Sequence, residues 1–166
     1  DETHQKKNIG SLTEFVVNGY TSDITIWADI SQEVIFLDIN GGTGTQPRIT
    51  FNEDKTKFVL SETEPVGPNG KEFYYYSTNP LDNEEGQNGI RIDLGVEYPL
   101  SYLEGNKVLY AIYLTPTENY QTATNYIVVP KNVTSIEGNG EKNMFGVDTP
   151  DVKFVTLSRN VKKIGN

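Results

Sequence analysis

The sequence predicts an all-β protein, an antiparallel β-sandwich of about ten strands and of jelly-roll-like type. Three observations carry that expectation. Val, Ile, Thr, Tyr and Phe, which suit a pleated and half-buried surface, are common, with ten Tyr and seven Phe. Short stretches of two-residue alternation recur along the chain, and no stretch keeps a helical period. The dipeptide Asn-Gly, a strong hairpin signal, begins at positions 18, 40, 69, 88 and 139, which favours mostly antiparallel pairing.

The elements follow in order. Residues 1–11 are polar and aperiodic and read as a flexible N-terminal arm, ahead of a single β-sandwich domain over 12–166. From Ile9 a weak alternation begins, with Ile9, Phe15 and Val17 on one face of an extended chain and Leu12 on the other. A strand is expected over 12–17, then a turn at Asn18-Gly19. Over 23–30 the alternation is clean, Ile24, Ile26, Ala28 and Ile30 against Thr25, Trp27 and Asp29. Residues 33–39 are apolar on both faces and predict a strand at the centre of a sheet. A glycine-rich loop follows over 40–47. Residues 48–51 and 57–62 then form a hairpin across a charged turn, placed nearer an edge because it is shorter and more polar.

Residues 64–70 carry too many Pro and Gly for any regular element. Residues 71–78 hold Phe73-Tyr74-Tyr75-Tyr76, a strand with aromatics on both faces, and 90–97 alternate as a half-buried strand. Residues 99–106 are an irregular or short helical link. Residues 107–115 are the second doubly apolar strand and the counterpart of 33–39 at a sheet centre. Short strands are expected at 125–130 and 152–157, the latter continuing toward Ile164, with one further short strand within the Gly- and Asn-rich stretch 132–150.

The composition narrows function by exclusion. A net charge of -9 disfavours a nucleic-acid partner, since phosphate binding needs clustered Lys and Arg. No apolar run approaches the about 18 residues of a membrane span. The absence of Cys removes thiolate chemistry, and the single histidine, His4, stands in the polar arm rather than on a scaffold. No phosphate loop, nucleophile elbow or zinc motif is present. Paired carboxylates of glycosidase type would have to come from Asp29, Asp38 or Asp93, each of which also suits the exposed face of a strand.

What remains is a non-enzyme. The chain begins with Asp1, which fits a cleaved secretory leader and an extracellular or cell-surface location. The leading expectation is a structural subunit of a surface filament or pilus. It polymerises with copies of itself by donating its N-terminal strand, through Ile9, Leu12, Phe15 and Val17, to a neighbour's sheet edge. The alternative is a secreted carbohydrate-binding or adhesion module that stacks glycans on exposed rings, Trp27, Tyr74 and Tyr76 foremost, with Tyr98, Tyr102, Tyr113 and Tyr120 behind them. A viral shell or fibre protein is a third reading. No cofactor is expected except a Ca²⁺ candidate in the acidic loop at Asp82, Glu84 and Glu85, whose spacing departs from the EF-hand. Asn132-Val133-Thr134 is a glycosylation acceptor triplet.

Overall fold

The computed structural model describes residues 34–82, 88–118, 125–137 and 152–165. All of them belong to the compact unit Glu33–Asn166. The expected strands at 12–17 and 23–30, the arm before them, His4, Trp27, Asp29, Tyr120, Glu84 and Glu85 lie outside the described residues.

Among the described residues the regular structure is all-β apart from one short 3-10 turn. The strands are β1 (Phe36–Asp38), β2 (Ile49–Phe51), β3 (Lys57–Leu60), β4 (Glu72–Ser77), β5 (Arg91–Ile92), β6 (Glu97–Pro99), β7 (Val108–Leu114), β8 (Asn125–Val128), β9 (Ser135–Ile136), β10 (Val152–Thr156) and β11 (Lys163–Ile164). The 3-10 turn spans Leu100–Leu103 and ends where Glu104 and Gly105 adopt positive φ. No helix among the described residues is long and apolar enough to cross a membrane.

Four strands make one sheet in the order β1-β7-β4-β5, and three make a second in the order β2-β3-β6. Pairing is antiparallel within β2-β3-β6 and through β7-β4-β5. It is parallel for β1 with β7, β10 with β8 and β11 with β9. The expected antiparallel pairing is thus found in four of the seven strand pairs among the described residues, and the other three are parallel. Asn-Gly marks a tight turn, and a turn makes a hairpin only where the strands on either side are neighbours. Asn88-Gly89 lies between β4 and β5, which do pair, whereas Asn40-Gly41 follows β1, whose partner β7 arrives after the whole second sheet.

The hairpin β2–β3 pairs Ile49 with Leu60 and Phe51 with Phe58, across a turn that the Asn52 and Asp54 side chains close by accepting from the Lys57 and Thr56 backbone amides. It is not peripheral. β3 is the middle strand of its sheet, and Phe58 and Leu60 are fully buried. Burying each is worth about 1.5–3 kcal/mol. They join Phe73, Tyr76, Leu109, Ala111 and Tyr113 of the four-stranded sheet in one core.

β4 shows how sequence becomes packing. Its register with β7 slips between Phe73 and Tyr75, so Tyr74 is the extra residue of a β-bulge. Phe73 and Tyr76 enter the core shared with β3, while Tyr74 and Tyr75 turn together to the opposite face against Ile112, Leu114 and Val128. Strict alternation would have split Tyr74 from Tyr75. The expected strand at 90–97 is likewise divided. Gly95, at φ +73°, breaks the extended run, so that β5 pairs in one sheet and β6 in the other. Ile92 and Leu94 stay in the core on the way across.

Candidate functional site

The rim of the four-stranded sheet at β1 exposes large apolar side chains. Ile35 and Leu37 point into the core, which puts Val34 and Phe36 on the opposite face, 44% and 58% exposed. The parallel register sets Phe36 beside Val108 and Asp38 beside Tyr110. Val108 and Tyr110 are only half-buried, whereas Ile112 and Leu114 further along the same face of β7 are covered by Val128. Among the described residues the apolar face is thus covered at one end of β7 and only partly covered at the end beside β1.

The backbone of β1 matches this. The Phe36 amide donates to the Lys107 carbonyl on the β7 side at 2.7 Å. On the other side β1 pairs with no strand among the described residues, and the Leu37 carbonyl accepts instead from the Gln46 side-chain amide at 3.2 Å. The apolar residues on both faces of 33–39 predict a strand at a sheet centre. Among the described residues it is the outermost strand of the sheet, beside the central β7. An apolar outer face signals burial, and the sequence did not distinguish burial within the sheet from burial by something added to it.

The ring candidates separate clearly. Tyr74 and Tyr76 are 2% and 0% exposed, so the expectation that they present rings to a glycan is corrected. Both are core residues because β4 is covered on both faces. Tyr74 donates its hydroxyl to the Val129 carbonyl at 3.0 Å. Tyr113 is buried as well and donates to the Ile39 carbonyl at 2.9 Å. Tyr102 is different: it is 47% exposed and stacks on Tyr98 with centroids 5.5 Å apart and planes 18° from parallel. Beside it runs a shallow groove formed by Lys55, Thr56, Lys57, Pro99, Leu100 and Ser101. Lys57 there is bound to Glu97 at 2.7 Å, and that carboxylate raises its pKa.

The candidate carboxylates among the described residues, Asp38, Asp82 and Asp93, are engaged within the fold. Asp82 is buried, and both of its oxygens accept from the protein: Oδ2 from the Ser77 hydroxyl at 2.5 Å, Oδ1 from the amides of Asn88 at 2.8 Å and Gly89 at 3.1 Å. It closes the base of the acidic loop. The described residues contain no group of three or more side chains arranged for a metal. Asp93 forms a two-pronged pair with Arg91, whose guanidinium also reaches the Leu157 carbonyl at 3.0 Å and covers the Tyr75 ring at 4.6 Å. Asp38 accepts from the Asn40 amide at 2.7 Å. Asn132 is exposed in the turn after β8, where the Val133 amide donates to the Pro130 carbonyl.

No protein-family model matches this chain, and the comparisons with curated proteins and with solved structures returned no match.

Proposed function

We propose that this chain is an exported, non-enzymatic structural subunit that assembles with copies of itself into a surface filament. In this reading the sheets built around Phe58 and Ala111 are the two layers of a β-sandwich of about ten strands. The segment carrying Ile9, Leu12, Phe15 and Val17 from one copy lies along β1 of the next. Main-chain hydrogen bonds supply affinity, and alternate apolar side chains supply register. The observation that carries the reading is the apolar rim of β1, which pairs with no strand on its outer side among the described residues and where Val34 and Phe36 stand exposed. Protein edges ordinarily carry charge or cover at such a place.

Two changes test it. Phe36→Lys puts a charge on the rim without removing the bond from its amide to Lys107. Deleting residues 1–11 shortens the donor. Each is expected to give a folded monomer by light scattering where the parent protein forms assemblies. Assemblies of unchanged size in both variants would overturn the reading.

A second reading, a glycan-binding or adhesion module, is favoured by the exposed Tyr102 ring stacked on Tyr98 beside an open groove. Tyr102→Ala would then abolish retention on an immobilised glycan panel while leaving the melting temperature unchanged.

A further inference from the structure

Three Asn-Gly pairs fall within the described residues, at 40, 69 and 88, and their surroundings differ in a way that bears on their chemistry. An Asn-Gly pair deamidates when the glycine nitrogen attacks the asparagine side-chain carbonyl carbon. The bond to the amide nitrogen breaks and ammonia leaves. Water then opens the resulting succinimide to aspartate or isoaspartate. The reaction needs a side-chain amide that can swing over the following peptide and a glycine nitrogen that can turn to meet it.

At Asn40 the side-chain amide is held twice, donating to the Pro80 carbonyl at 3.1 Å and the Ala111 carbonyl at 3.0 Å. At Asn88 the nucleophile is held: the Gly89 amide donates to Asp82 Oδ1 at 3.1 Å, and Gly89 is wedged against Ser77 and Asn79. At Asn69 neither partner is tied. The side chain has no hydrogen-bond partner among the described residues, and both residues are exposed in the turn closed by the Lys71 amide on the Pro68 carbonyl at 3.0 Å. Nothing lies within 4 Å of the place where a Gly70 side chain would begin, so the peptide has room to rotate. Asn69 and Gly70 sit at φ +50° and +76°, and the turn needs only local opening to leave that conformation.

We propose that Asn69 is a spontaneous deamidation site of the folded protein, and that the fold protects Asn40 and Asn88 from the same reaction. Each event adds one negative charge beside Lys71, and the isoaspartate product lengthens the turn by one methylene.

The test is peptide mapping by mass spectrometry after incubation of the intact protein at mildly alkaline pH, with a parallel sample in urea. In the native sample Asn69 is expected to convert at least about tenfold faster than Asn40 or Asn88, the ratio set by the opening each protected pair needs. In urea the three should converge. Asn69→Gln, which slows ring closure, should remove the leading native product. Asn69→Asp serves as the mass and charge standard. Equal native rates at the three pairs, or an unconverted Asn69 in a native sample whose urea control reacts, would overturn the proposal.

Discussion

The hydroxyl of Tyr113 lies where a side chain on Gly42 would begin. A Cβ built on Gly42 falls inside the van der Waals envelope of Tyr113 Oη and 2.7 Å from the Val66 carbonyl oxygen. A Cβ on Gly67 would clash with the Lys71 carbonyl oxygen and meet Tyr113 Cδ1 at 2.9 Å. Two glycine-bearing loops, joined by the bridge between Thr43 and Val66, therefore close over one tyrosine at the end of β7. Gly42→Ala should lower stability by about 1–3 kcal/mol through overpacking. Gly41→Ala meets no neighbour within 4 Å and carries only the strain of φ +81°, about 1 kcal/mol. Urea titrations of both variants, with Tyr113→Phe combined with Gly42→Ala, measure the difference. The double variant should recover part of the loss, because the clashing oxygen is gone.

The same tyrosine sets an alkaline limit. Burial, with Asp38 adding a smaller effect, raises the Tyr113 pKa from 10.0 to about 12. Burial raises Tyr76 as well, and the hydroxyl of Tyr76 is buried without a hydrogen-bond partner among the described residues. Both phenols are held neutral in the fold and ionise more readily when unfolded. Their contribution is thus fully present below pH 10 and is lost as pH rises toward and through the folded value. Stability should fall between about pH 10 and pH 12, and tyrosinate absorbance should rise with the unfolding transition. Tyr113→Phe should move that fall to higher pH. A pH-stability curve identical in parent and variant would count against the assignment.

At the acid end the exposed pairs matter less. The Lys163 hydrogen bond, helped by Ser135, lowers the pKa of Glu137, and Thr56 lowers that of Asp54. These contributions are present above the ordinary carboxylate range and are lost as pH falls through the lowered folded values. Both groups are solvent-exposed, so added salt should erase most of the effect of Glu137→Gln on the melting temperature.

Asp82 is expected to be the most sensitive of the described carboxylates. Asp82→Ala leaves the Ser77 hydroxyl and the amides of Asn88 and Gly89 without their acceptor and should cost about 2–4 kcal/mol. Asp82→Asn keeps one acceptor oxygen and should cost less. Hydrogen exchange at the Asn88 and Gly89 amides should accelerate in both. If calcium raises the melting temperature of the parent but not of Asp82→Asn, the oxygens of Asp82 serve a cation as well as the loop.

Arg91 joins β5 to the segment after β10 through the Leu157 carbonyl, while pairing with Asp93 and covering the Tyr75 ring of β4. Arg91→Lys keeps the charge but loses the planar fork and the stacking. It should cost about 1 kcal/mol, and a thermal melt compared with Arg91→Ala separates charge from geometry.

Much of the secondary structure was legible in the chain. The doubly apolar run at 107–115 is β7 at a sheet centre, the alternation at 57–60 buries Phe58 and Leu60, and the link at 99–106 is a single short turn. These features are local, and the two-residue period records them directly. The tertiary structure alone decided the rest. That Val34–Leu37 is the outermost described strand of its sheet depends on which strand arrives beside it, and β7 does so only after more than half the chain has been laid down. That Tyr74 and Tyr75 share a face depends on a one-residue slip against β7, to which the sequence of β4 gives no clue. That Asp82 is a clamp and Asn69 is open depends on which amides come within hydrogen-bond reach. Periodicity fixes which side chains leave a strand together. Pairing, bulges and caps depend on residues distant in sequence, and those contacts decide whether an apolar face becomes core or stays bare.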